Sequence, residues 1–433
     1  MADSTSSRLG GAAPATPVAP TEEAPPRPWI HRVAGALAHR NFRLVWLAAL
    51  GSTIGTWMQN FAQSWLVFDL TRSNFYKGID DFLGQLPILL FMLIGGVIAD
   101  RHDRRKLLTG SQYVQAVSAF MLAFLLYTGH VTIWHIFALS FLTGCGQAFG
   151  GPAYQSLLPS LVPRQDLPNA IALNSTQFNL SRVLGPLAGS VVLVSIGAAA
   201  CFAVNGLSFF IVVAALAMLH LPPHVTATNR QALGEELRSG LRYVGQNHVL
   251  LGLTILVFVA TFLVMPVLTL LPAFATNVLT SHGTAAGRLS ALMASQGLGA
   301  IVGALFVGSQ NRFNGTILLG VQMALGLLIA AFALSNTYML SLAVLFVTGM
   351  MFMALFSISF SLVQLTVPDA LRGRVVSIYM VALRGGWPLG GLFAGKLADT
   401  FSAQHVLATN GVILSILAAV LLVSGRGRTL TAA

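Results

Sequence analysis

Gly95-Gly96-Val97-Ile98-Ala99-Asp100-Arg101-His102-Asp103-Arg104-Arg105-Lys106 is a dense basic stretch set between two long apolar runs. Leu86 to Ile94 precede it with no charge, and a second uncharged run follows from Leu107. That contrast repeats along the chain. Of 433 residues, 55% are hydrophobic and 9% are charged. Mean hydropathy is +0.76. An ordinary soluble domain carries about 25% charged residues. A soluble protein of this length cannot cover its surface with so few charges. A soluble enzyme, a nucleic-acid-binding domain and a disordered chain are therefore excluded, and the solvent for most of the chain is lipid.

Working outward from the basic stretch, long apolar segments alternate with short polar breaks. A helical span needs about 20 apolar residues. Twelve candidates are expected, at 43–68, 78–99, 107–128, 132–158, 168–194, 197–220, 248–276, 285–308, 315–334, 338–364, 373–398 and 403–424. The runs are too long for barrel strands and lack period-two alternation. Residues 1–40 differ from the rest. Gly10–Pro28 is rich in Ala, Pro and Thr without apolar periodicity and reads as a disordered cytoplasmic tail. It has no apolar h-region, so the first span is expected to serve as its own uncleaved insertion signal.

The net charge of +11 follows from 24 Lys+Arg against 13 Asp+Glu. Cytoplasmic loops collect Lys and Arg. With the tail inside, most basic residues fall in cytoplasmic breaks, among them Arg40, Arg43, Arg101, Arg104, Arg105, Lys106, Arg164, Arg312, Arg372, Arg374, Arg426 and Arg428. Only Arg72, Lys77 and Arg288 fall outside, Lys396 is ambiguous, and Arg182 and Arg384 lie within spans. Both termini are then cytoplasmic, with 426–433 a second short tail. The charge excess is an orientation signal, and nucleic acid is not needed to explain it.

The longest internal loop, 221–247, divides six spans (41–220) from six (248–425). It carries a short helix-like piece, Glu235–Tyr243. Val162-Pro163 precedes a span containing Gly185-Pro186-Leu187-Ala188-Gly189, and Val367-Pro368 precedes one containing Pro388-Leu389-Gly390-Gly391. Each opens the fifth span of its half. Two six-helix halves in parallel repeat are one transporter architecture, with the substrate site between them.

Two motifs carry a family likeness. Gly96, Asp100, Arg104 and Arg105 match the loop between the second and third spans of the major facilitator superfamily, where Asp103 replaces the second glycine. Gly185, Pro186 and Gly189 resemble the core of the motif typical of its exporters, with Ser181 in place of the upstream glycine. With Arg43, Trp57-Met58, Leu86-Pro87 and Arg372-Gly373-Arg374, the chain after residue 40 resembles the branch of enterobactin exporters and macrolide efflux proteins. The resemblance implies an all-α membrane fold of twelve helices in two pseudo-repeats. It also implies that Gly96, Asp100, Arg104 and Arg105 latch the cytoplasmic side, against the plainer reading that the basic residues only fix topology. The Gly-Pro-Gly set is expected to bend or closely pack its helix. One departure stands out. Exporters of the superfamily often carry an arginine in the fourth span, three residues before Gln-Gly, linked to proton transfer; here that position is Gly144.

Charges inside the bilayer are costly and point to function. Asp80 and Asp81 are candidates for proton coupling; the alternative is a solvated outer helix cap. Arg182 either binds an anionic substrate group or satisfies a structural carboxylate. Arg384 is a cavity candidate or a packing residue. Thr56, Trp57, Asn60 and Gln63 on the first span, Asn174 and Gln177 on the fifth, and Ser357 and Gln364 on the tenth form polar stripes. These face either substrate or neighbouring helices.

No P-loop, dinucleotide fingerprint, metal-ligand set or nucleophile with a positioned base is found. Cys145 and Cys201 lie in apolar runs and read as buried apolar residues. No cofactor or metal is expected, nor enzymatic activity. The expectation is a secondary transporter of the bacterial inner membrane, working as a monomer. It exchanges inward protons for an amphipathic small molecule, whether drug, macrolide or siderophore. A lipid or lysophospholipid flippase of the same fold is the alternative, and a non-transporting membrane sensor or assembly subunit a third reading.

Overall fold

The computed structural model describes residues 35–101, 103–219, 233–308, 314–368 and 371–430. The tail expected over 1–40 therefore lies almost wholly outside the described residues, and Arg40 already opens the first long helix. The chain is all-helical. The helices are α1 (Arg40–Thr71), α2 (Asn74–Arg101), α3 (Arg104–Tyr127), α4 (Ile133–Leu157), α5 (Leu167–Ser195) and α6 (Ala198–Ala217) in the first half. After α7 (Leu233–Gln246) come α8 (His248–Val264), α9 (Pro266–Ala273), α10 (Ala285–Gly308), α11 (Gly315–Leu334), α12 (Tyr338–Thr366), α13 (Arg372–Phe401) and α14 (Ala403–Val423).

Among the described residues, eight stretches are long and apolar enough to cross a membrane: α3, α5 with its leading turn, α6, the run His248–Val278, α10, α11, α12 and α14. Helices α1, α2, α4 and α13 are as long, at 32, 28, 25 and 30 residues. Their polar residues supply the site described below.

Local chemistry sets the boundaries. Asp103 accepts from the backbone N–H of Arg105 at 2.9 Å and starts α3. Asn247 accepts from Val249 and Leu250, both at 3.1 Å, and starts α8. Such caps satisfy the orphan donors of a first turn. The span expected as one run over 248–276 is divided: α8 ends at Val264, α9 begins on Pro266, and a π-turn Phe274–Val278 follows. Pro266 and Pro272 have no N–H, so two rungs of the helical ladder are missing there. The charged piece expected at Glu235–Tyr243 extends to the full α7.

Helix pairs α1–α5, α2–α4, α3–α4 and α3–α6 build the first half, and α10–α12 and α11–α14 the second; α2–α13 and α5–α10 join the halves. Glycine lets these pairs approach closely. A Cβ at Gly303 would stand 2.7 Å from Met350 Cα, and one at Gly78 2.7 Å from the Gly391 carbonyl oxygen. Small residues at such crossings are the usual means of tight packing in lipid, where no water-driven force presses helices together. Successive long helices run in opposite directions, with α8 and α9 together making one. The near end carries the described chain ends and the Asp103 turn; the far end carries the turns after Thr71, Tyr127, Ser195, Leu334 and Phe401.

Candidate functional site

A cavity of about 140 Å³ lies between the halves, towards their far end. Its polar wall comes from α1, α2 and α4, which contribute Trp57, Asn60, Gln63, Asp80, Ser140 and Gln147 among others. Leu268, Met293 and Trp387 close it from the second half. Trp57, Asn60 and Gln63 thus stand where the first-span stripe places them. Thr56 does not line the cavity; its hydroxyl donates to the Ser52 carbonyl of its own helix at 3.0 Å. Gln177 is buried and donates to Thr53 Oγ1 at 2.9 Å. Asn174 accepts from the Tyr154 hydroxyl at 2.9 Å. Both make interhelical contacts rather than cavity wall. Ser357 is half-buried and Gln364 exposed near the end of α12, and neither lines this cavity.

The cavity's charged corner is built on the first turns of α2. Lys77 Nζ lies 2.5 Å from Asp81 Oδ1 and 3.5 Å from Asp80 Oδ2. Asp80 Oδ1 also accepts from Gln63 Nε2 at 2.7 Å and from Ser140 Oγ at 2.6 Å. Asp81 Oδ2 accepts from Thr269 Oγ1 of α9 at 2.9 Å, a bond that crosses between the halves. Lys77 and Asp80 are only 3% and 4% exposed. A solvated helix cap is therefore not what these aspartates form. Lys77, expected as an outer topology marker, is buried as their counter-ion. The signal that reveals it is the i, i+3, i+4 spacing of Lys77, Asp80 and Asp81, which stacks all three on one helix face.

Beyond this corner the halves meet at the far end. The Asp399 carboxylate, near the end of α13, accepts from the backbone N–H of Asn74 at 2.7 Å and of Phe75 at 3.2 Å. It also accepts from Asn74 Nδ2 at 3.1 Å and from the Ser73 hydroxyl. The first turn of α2 is thus capped by a residue of the other half. Lys396 Nζ stands 5.1 Å above the Phe75 ring.

At the near end, Arg104 donates to the Ser156 carbonyl at 2.8 Å, and Arg105 to the Ala217 carbonyl at 3.0 Å. Both bind the exposed carbonyl ends of helices in their own half, where a cation is favoured. Gly96 and Asp100 lie in the last turns of α2, and their side chains lie outside what the structure describes. Gly185 and Gly189 seat α5 on α1: a Cβ at Gly185 would overlap Trp57, and one at Gly189 would stand 2.7 Å from Phe61 Cδ1. Pro186 is buried between them. Gly144 has a packing cause too. A Cβ there would overlap the Gly84 carbonyl and stand 3.1 Å from the Pro87 ring, so an arginine has no room.

Arg182 lies 5.4 Å from the Trp57 ring and, among the described residues, pairs with no carboxylate. Arg384 is exposed and likewise unpaired. Among the described residues no group of His, Cys, Asp and Glu is arranged to hold a metal.

This polar chamber between two packed helical halves is the layout of a membrane transporter. Residues 33–429 match the transmembrane secretion effector family of the major facilitator superfamily, and the chain belongs to it. The multidrug efflux pump Tap of Mycolicibacterium fortuitum is 29% identical over 82% of this chain and 88% of its own length. The enterobactin exporter EntS of Escherichia coli O1:K1 is 24% identical over 91% of this chain and 94% of its own. A bacterial homologue of the human lysosomal transporter Spinster, solved in an inward-facing, unoccupied conformation, superposes with a TM-score of 0.72. It is 14% identical and covers 90% of this chain and 97% of its own. The protein is therefore an integral, multi-pass membrane transporter of an efflux family, and the family's members are transporters rather than enzymes.

Proposed function

We propose that the protein is a proton-coupled exporter of amphipathic small molecules, a drug or a siderophore, that works as a monomer by alternating access. In this reading α1, α2, α4 and α13 also cross the bilayer. That gives twelve spans in two six-helix repeats on either side of 221–247. The near end, where basic residues gather, is cytoplasmic and holds both termini. The far end is then the outer side. The Gly96, Asp100, Arg104 and Arg105 loop guards the cytoplasmic mouth.

The observation that carries the reading is the Lys77, Asp80 and Asp81 cluster. Two carboxylates against one ammonium leave one negative charge unmatched in a buried site. A proton cancels that charge, and ion pairing out of water depends steeply on such cancellation. Asp81 also holds Thr269 across the outer seam, so its charge bears directly on the contact that must break for the outer side to open. The names of the relatives support the substrate class.

Everted membrane vesicles with an imposed pH gradient test the proposal. Adding candidate drugs or siderophores one at a time is expected to release protons through the wild type. Asp80→Asn and Asp81→Asn are each expected to lower that flux at least ~10-fold. Accumulation that persists at full extent after the gradient is collapsed overturns proton coupling.

A further inference from the structure

The polar wall of the cavity has two layers. Counting 1.5 Å per residue, Asp80 and Asp81 stand about 10 Å from the far end of α2, whereas Asn60, Gln85, Gln147, Trp57 and Trp387 stand about 16–21 Å from the far ends of their helices. The outer layer is ionic and engaged, Asp80 with Lys77, Gln63 and Ser140, and Asp81 with Lys77 and Thr269. The inner layer is neutral and uncommitted. All five of its residues line the cavity. The side chains of Asn60, Gln85 and Gln147 make no hydrogen bond among the described residues. Trp387 Nε1 is buried and likewise has no acceptor there.

Amides that serve packing in this chain are paired. Asn205 Nδ2 donates to Gln59 Oε1 at 2.7 Å, Gln177 Nε2 to Thr53 Oγ1 at 2.9 Å, and Asn410 Nδ2 to the Leu263 carbonyl at 3.1 Å. Gln112 and Gln322 also lack partners, but each is buried alone outside the cavity. The inner layer is a different case. Three carboxamides and an indole N–H converge on one chamber from α1, α2, α4 and α13. Polar groups held between helices without partners are costly, and a ligand that bonds to them removes that cost.

The chemistry of that ligand follows from the groups. A carboxamide both donates and accepts, as a hydroxyl does, so three of them match a ring of hydroxyls and call for no charge. Trp57 and Trp387 line the same layer from opposite halves. The negative face of an indole suits the C–H groups of a saturated ring. A cavity of about 150 Å³ holds one benzene ring, and this one, at about 140 Å³, is of that order. Asn60 is exposed, so the chamber is open beside it to the rest of a longer molecule. Resting on the export reading above, we infer that the transported amphiphile carries a neutral sugar ring. Its hydroxyls bond to Asn60, Gln85, Gln147 and the Trp387 N–H, and its C–H face lies against the tryptophans. Cargo and proton then occupy separate layers of one cavity.

The test reads binding rather than transport, so its failure leaves the export reading standing, and a failure of export leaves this inference standing. Full-length protein in phosphatidylcholine nanodiscs is titrated with the glucoside, galactoside and mannoside of 4-methylumbelliferone, following coumarin anisotropy against empty discs. The hydroxyl-free methyl ether, the sulfate and a trimethylammonioethyl ether of the same coumarin are the comparisons. The best glycoside is expected to bind at least ~10-fold more tightly than any of the three. Asn60→Leu, Gln85→Met and Gln147→Met are each expected to lower that preference at least ~5-fold. They are also expected to leave the unfolding midpoint of the ligand-free protein unchanged or raised, because these amides have no partner to lose. Displacement of the bound glycoside by a galactosyl diacylglycerol placed in the disc supports the inference with a glycolipid as the source of the ring. Displacement by soluble aryl glycosides alone supports it with a free glycoside. Equal binding of glycosides and methyl ether, tighter binding of the cation or the sulfate, or well-folded variants that keep the wild-type preference overturn it.

Discussion

Thr269 Oγ1 donates to Asp81 Oδ2 at 2.9 Å, so a hydroxyl on α9 of one half holds a carboxylate on α2 of the other. The same carboxylate grips Lys77 through its second oxygen. One side chain therefore reports to both the ion cluster and the seam. Thr269→Val keeps the shape and removes the donor. Losing one such bond costs about 0.5–1.5 kcal/mol, enough to move a balanced two-state equilibrium several-fold. Labelling of Asn60→Cys by an impermeant maleimide from the outside is expected to rise by that factor in the valine variant. Unchanged labelling would sink the idea that this contact helps hold the outer side shut.

Lys77→Met should harm the protein more than either aspartate variant. It leaves two buried carboxylates side by side with no cation, and breaking a buried ion pair in this way costs about 3–5 kcal/mol. Asp80→Asn or Asp81→Asn leaves Lys77 one partner. The thermal unfolding midpoint in detergent is expected to fall most for Lys77→Met. Adding Asp80→Asn and Asp81→Asn to that variant should recover much of the loss. A triple variant no more stable than the single one would contradict the charge argument.

Asp399 caps a helix of the opposite half through two backbone N–H groups. Replacing a capping residue by alanine costs about 0.5–2 kcal/mol. Here that energy belongs to the closed seam and not to either half alone. Asp399→Ala is expected to leave the unfolding midpoint of the protein nearly unchanged while raising outside labelling of Asn60→Cys. A large loss of thermal stability without a gain in labelling would show the contact to be part of the fold and not of the gate.

Gly144→Arg, which restores the residue many exporters of the superfamily carry there, is expected to abolish folded protein, because the Gly84 carbonyl and Pro87 ring fill the space. Gly144→Ala should cost about 1–3 kcal/mol, as over-packing of a tight crossing does. Monodispersity on size exclusion reads both. A well-folded arginine variant would mean that α2 and α4 part more easily than their packing implies.

The helices were legible because their apolar runs are long and their breaks carry the charges. Trp57, Asn60, Gln63, Asp80 and Asp81 were legible because polar groups on spans have few places to go. What the sequence hid depends on contacts across distance. Thr269 is one threonine among many until α9 is broken from α8 by Pro266 and laid beside α2. Asn174 and Gln177 share the stripe spacing of cavity residues, yet Tyr154 and Thr53 take them. Spacing gives the face of a helix and not what that face meets. Lys77 reads only as an outer topology residue in the sequence, although its spacing from both aspartates carries the pairing.

The seam between α2 and α13 carries Gly78 and Gly391 where side chains would ordinarily interlock. Surfaces of bare backbone have no knobs to withdraw and no rotamers to release. In the alternating-access reading proposed above, the time this seam stays closed is governed by discrete polar catches, at Asp81 and Asp399, rather than by the area in contact. Evolution could tune the dwell time of such a pump one atom at a time without disturbing the walls that hold its cargo.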